Sequence, residues 1–199
     1  SRSCPLRAWT RTGSDGSFCH TMTREIPVRL GERGYHVLVA PLSAWGEIDL
    51  PEFGERGRTT VLVTEERVGS LWAGDVRNAL QARGLEIHEV WVPGGETSKD
   101  LSRLPLLYDS FLAAGLKRDG WVVALGGGVI GDLTGLAAAT YMRGVGFMQI
   151  PTSLIAMADA SVGGKVGVHY SGAKNLIGAF HQPRLVLAAP LFLSTLPDA

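Results

Sequence analysis

A run of five apolar residues, Trp121–Leu125 (WVVAL), passes directly into Gly126-Gly127-Gly128-Val129-Ile130-Gly131-Asp132, and that junction limits the fold more than any other stretch of the chain. A strand with no polar face has to be covered on both sides, as at the centre of a parallel sheet. Glycines after such a strand, ahead of a helical pattern, make the strand–turn–helix step of an α/β domain. Gly126, Gly128 and Gly131 also satisfy the G-x-G-x-x-G spacing. Glycines there let the backbone approach a pyrophosphate, and a helix start near Gly131 offers free N–H groups and a positive dipole end. Two explanations stay open at this level: a phosphate cradle, or a tight turn under a closely packed helix. The acid expected about 20 residues further on in an ordinary dinucleotide fold is missing. Asp132 is equally explained as an acid favoured near a helix N-terminus.

The flanking sequence repeats the alternation. Tyr35–Ala40, Thr59–Thr64, Ile87–Val92 and Phe147–Ile150 are short β-rich runs bounded by glycine, proline or charge. Val68, Leu71, Trp72, Val76, Ala79 and Leu80 recur at helical steps, ending at Gly84. Leu101, Leu104, Tyr108, Phe111 and Leu112 mark a second helix ending at Gly115; Pro105 means that it either starts near Leu104 or kinks there. The expectation is an α/β fold, a Rossmann-like, mostly parallel sheet flanked by helices. Beyond Thr152 the pattern turns irregular and polar, as a ligand-facing segment would be. Residues 1–24 have no apolar period and read as a flexible leader, leaving 25–199 as one α/β domain.

Charge narrows the search for chemistry. The chain balances 19 basic against 19 acidic side chains, which argues against nucleic acid or a membrane surface as partner. No apolar run is long enough to span a bilayer and no signal peptide is visible, so a cytoplasmic protein is expected. From Trp121 onward only Asp132, Arg143, Asp159, Lys165, Lys174, Arg184 and Asp198 are charged. In an apolar, glycine-rich stretch an unpaired charge is costly, so these few are the first candidates for function. Asp159-Ala160-Ser161-Val162-Gly163-Gly164-Lys165 lacks the first glycine and the Ser/Thr of a P-loop. With Gly172-Ala173-Lys174-Asn175 it suits a phosphorylated, hydroxylated substrate, or else an internal ion pair. Pro93-Gly94-Gly95-Glu96-Thr97-Ser98-Lys99 also leaves a strand end, where Glu96 suits ribose hydroxyls and Lys99 a phosphate, against the alternative of a capped helix start. His169 and His181 lack a third ligand at metal spacing, and no G-x-S-x-G occurs.

Taken in order, P-G-G-E-T-S-K, G-G-G-V-I-G-D-L-T-G-L-A-A-A-T-Y-M-R-G, Q-I-P-T-S-L, D-A-S-V-G-G-K, A-K-N-L-I-G-A-F-H-Q-P and F-L-S-T-L-P closely resemble the 3-dehydroquinate synthase family, from about Ile26 to Pro197. The family's members are sugar-phosphate cyclases of the shikimate pathway of aromatic amino acid biosynthesis. The resemblance implies a phosphorus–oxygen lyase with tightly bound NAD, used without net redox, and a divalent metal, zinc or cobalt. By motif, it implies cofactor contacts at Glu96, Lys99, Gly127, Gly128, Val129, Asp132, Thr152, Ser153, Lys174, Phe192 and Thr195. It implies substrate contacts at Arg143, Asp159, Lys165 and Asn175, the arginine reaching across a homodimer interface. No catalytic residue is assigned.

Three departures qualify the resemblance. The family's early Asp-x-Asn is Glu65-Glu66-Arg67, its Lys-Thr-Gly is Lys165-Val166-Gly167, and its Asn-His-Pro is His169-Tyr170-Ser171. Family members also continue into a helical domain that supplies the metal ligands. The expectation is therefore that this chain represents the NAD-binding portion, holds no metal and does not turn over by itself. Alternatives are another sugar-phosphate cyclase, a metal-dependent polyol dehydrogenase sharing the glycine loop, or a non-catalytic NAD-binding protein.

Overall fold

The computed structural model describes residues 23–48 and 58–196. A seven-stranded sheet forms its centre. In chain order the strands are β1 (Arg24–Val28), β2 (Tyr35–Val39), β3 (Thr59–Glu65), β4 (Glu86–Val92), β5 (Trp121–Gly126), β6 (Gly146–Pro151) and, after a separate β7–β8 hairpin (Lys165–Tyr170 and Ala173–Phe180), β9 (Leu185–Ala188). Across the sheet they run β1-β2-β9-β6-β5-β3-β4. All pairings within it are parallel except β1 with β2. Three helices connect them: α1 (Glu66–Gln81), α2 (Leu104–Ala113) and α3 (Gly128–Thr140).

The period of two along each central strand divides the core. Leu62, Trp121, Val123, Leu125, Met148 and Ile150 point to one face, where Ala73, Val76 and Leu80 of α1 cover them. Val61, Val63, Val122, Ala124 and Phe147 point to the other, under Leu104, Leu107 and Phe111 of α2 and Ile130, Leu133 and Leu136 of α3. Both faces of β5 are therefore covered, which is why it carries no polar side chain. The connection β3–α1–β4 runs outward to one edge and β5–α3–β6 runs to the other, on opposite faces. The reversal falls between β3 and β5, and it opens a crevice beyond their carboxyl ends.

Several sequence expectations change in detail. Helix α3 starts at Gly128, three residues earlier than the expected start near Gly131, so most of the glycine loop is its first turn. Pro105 sits in the first turn of α2, where a missing N–H costs nothing; the helix starts at Leu104 and is not kinked. Leu71 does not join the buried face of α1 but stands 48% exposed. Arg24, counted with the leader, is the first residue of β1 and pairs with Val39. Residues 1–22 of that leader lie outside the described residues. The stretch after Thr152 is less irregular than expected. It holds a π-helical turn (Ala156–Ala160), the β7–β8 hairpin, whose β8 is exposed, and β9, a strand inserted between β2 and β6.

Seating α3 requires glycine. A Cβ at Gly131 would lie 2.6 Å from Oε1 of Gln149, and one at Gly135 would overlap Val166 of the hairpin and stand 2.9 Å from Phe147. On the exposed face of α1, a Cβ at Gly74 meets nothing closer than the Arg77 guanidinium at 4.0 Å. Opposite outcomes are expected for the same substitution. Gly74→Ala should stabilise by about 0.5–1 kcal/mol through helix propensity. Gly135→Ala should destabilise by about 1–2 kcal/mol, because overpacking outweighs that gain. Urea midpoints of the two variants measure both signs.

Candidate functional site

The crevice at the strand reversal is a groove of about 220 Å³, lined by Glu65, Arg67, Val68, Leu71, Trp72, Gly127, Thr152, Ser153, Thr195 and Leu196. Each wall is a strand end or the element leaving it. Glu65 ends β3 and caps α1, its carboxylate accepting from the N–H groups of Arg67 and Val68, both at 3.0 Å. Gly127 follows β5 and precedes α3, with no side-chain cap on the helix. The first main-chain hydrogen bond there runs from Gly131 N–H to the Gly127 carbonyl, leaving the N–H groups of the first turn without helical partners. Thr152 and Ser153 follow β6, and Ser153 Oγ accepts the Ala156 N–H, starting the π-helical turn. The fourth wall is the 3₁₀ segment Pro190–Thr195, where Thr195 Oγ1 donates to the Phe192 carbonyl.

The glycines of the loop fall into two kinds. Gly126 and Gly131 are required by the protein itself, since a Cβ would stand 2.8 Å from Ile130 or 2.6 Å from Gln149. Gly127 and Gly128 are not. A Cβ there would make ordinary contacts, 3.6 Å to Ser153 Oγ and 3.5 Å to the Ala160 methyl. Neither has a positive φ. Folding alone gives no reason for glycine at these two positions, and both border the groove or its helix start.

Beside this end lies a charged cluster that unites motifs the sequence keeps apart. Lys99 Nζ pairs with Asp132 Oδ2 at 2.5 Å, linking the 93–100 loop to the second turn of α3. The lysine side chain is only 9% exposed. Burial pushes the Asp132 carboxyl above the ordinary aspartate value, against the hydrogen bond and charge of Lys99, which pull it down. Glu96 Oε1 meets His169 Nε2 at 2.9 Å, and the Asn175 N–H donates to His169 Nδ1. Five polar positions from three distant motifs thus converge.

Other expected residues are distributed differently. Asp159 lies exposed on the π-helical turn, while Lys165 and Lys174 lie exposed on β7 and β8. Val129 is half-buried in the first turn of α3. Arg143 is exposed in a left-handed conformation (φ 66°) just past α3. Thirteen helical residues put it about 20 Å from Gly128, so it does not join the cleft within its own chain. Phe192, expected among the cofactor contacts, turns its ring into the core and leaves only its backbone near the groove. Its ring is fully buried, edge-on to Trp45 at 6.0 Å and to Trp72 at 5.1 Å, and it supports the groove from beneath. Leu71, Trp72 and His169 were not singled out as site residues. Leu71 and Trp72 satisfy the helical period and so read as core, and a single histidine in a hairpin carries no spacing signal. Among the described residues no group of three or more His, Cys, Asp or Glu is placed to hold a metal ion. No described helix is long and apolar enough to cross a membrane.

A family model described as 3-dehydroquinate synthase N-terminal matches residues 89–199, more than half of the chain. The chain belongs to the 3-dehydroquinate synthase family. Curated relatives of that name include one from Caulobacter vibrioides, 48% identical over 178 residues, covering 88% of this chain and 48% of the relative. Another, from Synechocystis, is 44% identical and covers 89% and 49%. The chain spans about half the length of the curated relatives it matches. Among solved structures, a 2-epi-5-epi-valiolone synthase from Streptomyces hygroscopicus with NAD+ and Zn2+ bound is 33% identical, with a TM-score of 0.71 over 85% of this chain and 46% of that one. A 2-deoxy-scyllo-inosose synthase complexed with carbaglucose-6-phosphate, NAD+ and Co2+ superposes with a TM-score of 0.80 over 87% of this chain and 48% of that one. At 24% identity it shows the fold alone, as does a glycerol dehydrogenase from Schizosaccharomyces pombe at 16% and 0.55, covering 69% of this chain and 33% of that one.

The Lys99–Asp132 pair gives a sign-definite expectation. Asp132→Asn leaves a buried ammonium without its counter-charge and should cost about 3–5 kcal/mol, whereas Lys99→Met with Asp132→Asn should recover most of that loss. A carboxyl raised by folding holds its proton more tightly in the folded state. The contribution of Asp132 is therefore most favourable below the unfolded aspartate pKa and declines as pH rises through the folded value. Urea titrations of wild type and the double variant across that acidic range measure the difference in slope.

Proposed function

We propose that this chain carries the dinucleotide-binding part of a 3-dehydroquinate synthase, the enzyme that converts 3-deoxy-D-arabino-heptulosonate 7-phosphate to 3-dehydroquinate and phosphate in the cytoplasm. The observation that carries the reading is the pair Gly127 and Gly128, glycines that folding does not demand, beside an open groove and a helix start with unpartnered N–H groups. Such a cradle suits the pyrophosphate of NAD, which a side chain at either position would push away. When bound, NAD would supply a reversible hydride acceptor.

Each part of this chain then has a physical task. The first-turn N–H groups of α3 at Gly128 and Val129 hold the pyrophosphate, and the Thr152, Ser153 and Thr195 hydroxyls line the same groove. Lys99 holds the Asp132 charge at the nicotinamide end, and Glu96 and Lys174 contribute polar contacts. Asp159, Lys165 and Asn175, on the exposed turn and hairpin, present charge and amide groups to a sugar phosphate. Arg143, about 20 Å from the cradle, serves the cleft of a second protomer in a homodimer. The described residues hold no donor set that fits a divalent metal, so no step is assigned to one in this chain.

Gly128→Val is the direct test. The new side chain should leave the fold intact and weaken NAD at least about tenfold, or roughly 1.4 kcal/mol, by calorimetry. Unchanged affinity in a folded variant would remove the cradle from this reading.

A further inference from the structure

His169 sits where the β7–β8 ladder breaks. The pairs Val168↔Ile177 and Tyr170↔Ala173 flank it, so one residue of β7 faces three of β8, Lys174, Asn175 and Leu176. Its own N–H leaves the hairpin and donates to the Lys99 carbonyl at 2.8 Å. The imidazole fills the bulge. The Asn175 N–H donates to Nδ1 at 3.0 Å, and Asn175 holds a left-handed φ of 52°, a region asparagine enters more readily than other residues except glycine and where this hydrogen bond holds it. Because Nδ1 accepts, the ring proton is on Nε2, which faces the Glu96 carboxylate at 2.9 Å. The Glu96 side chain is 58% exposed and, without that donor, would move freely among rotamers; the histidine side chain is 17% exposed and held at both ring nitrogens, with its backbone N–H tied to Lys99.

We propose that His169 is a positioning residue that fixes the Glu96 carboxylate and the left-handed backbone at Asn175 relative to each other, registering the cofactor loop against the substrate strand. This rests on the reading of Glu96 and Asn175 given above. Occupation of one side then orders the other through a single ring.

The two contacts separate by substitution in this same chain. An asparagine amide oxygen overlays Nδ1 but stops short of Glu96, and a glutamine amide reaches Glu96 but not Asn175. Long-range proton–nitrogen spectra of the wild type should show His169 as the Nε2–H tautomer. His169→Phe should speed amide exchange at Asn175 about tenfold and weaken NAD by a similar factor. His169→Asn should keep the Asn175 protection and lose NAD affinity; His169→Gln should do the reverse. A merely structural histidine would move both readouts together. An Nδ1–H tautomer, unchanged exchange in His169→Phe, or NAD affinity that ignores the loss of the Glu96 contact would overturn the proposal. If His169→Phe does not fold, the asparagine and glutamine variants decide. If the wild type itself fails to bind NAD, the reading of the groove falls, and the tautomer and exchange results still decide whether His169 holds Asn175.

Discussion

The close approach of α3 to the sheet on one side and to the β7–β8 hairpin on the other governs the rest of the structure. Phe147 and Val166 converge where Gly135 has no side chain, and Gln149 lies against Gly131. With the helix axis held this near to β5 and β6, its N-terminus must end at the rim of the crevice. Asp132 is carried within reach of Lys99 from the neighbouring loop, and Val166 and Val168 of the hairpin become part of the core. A helix standing a methyl group further out would separate all three. The cleft is thus a consequence of core packing before it is a collection of polar side chains.

Charge is distributed to match. Lys99 and Asp132 form a nearly buried pair in which burial and mutual attraction oppose each other, and burial prevails for the carboxyl. Such a pair adds little net stability compared with apolar residues, and its hold lies in geometry, because either partner alone is much worse than both. Lys165, Lys174 and Asp159, by contrast, are exposed. The scarcity of charge after Trp121 points to Asp132 and to these three alike without separating them. Sequence scarcity marks a charge as unusual; only packing tells whether it is spent inside the protein or offered to a ligand.

Legibility followed the range of the interactions involved. The central strands and three helices were readable because β5 and its neighbours carry their burial pattern within a few residues. The start of α3 was misplaced because nothing local distinguishes a glycine in a loop from one in a first helical turn. Strand β9 was missed for another reason: its four residues acquire identity only from β2 and β6, more than 30 residues away. Leu71 shows the converse failure. It keeps the helical period yet faces the groove, since periodicity records apolar character and not what covers it.

The glycine loop shows most clearly where sequence reasoning stops. Packing and phosphate binding are rival explanations of one motif, and the structure separates the glycines that packing explains from those that it does not. Gly126 and Gly131 answer to Ile130 and Gln149, and Gly127 and Gly128 answer to nothing in the chain. The G-x-G-x-x-G spacing therefore mixes two constraints, and matching it cannot separate them. The residue between the first two matched glycines, Gly127, lies outside the spacing rule altogether and yet borders the groove. A side chain there would meet only Ser153 Oγ at an ordinary distance, so packing does not account for its absence. Open room next to unpartnered helix N–H groups is a feature that a fold selected for stability alone would fill.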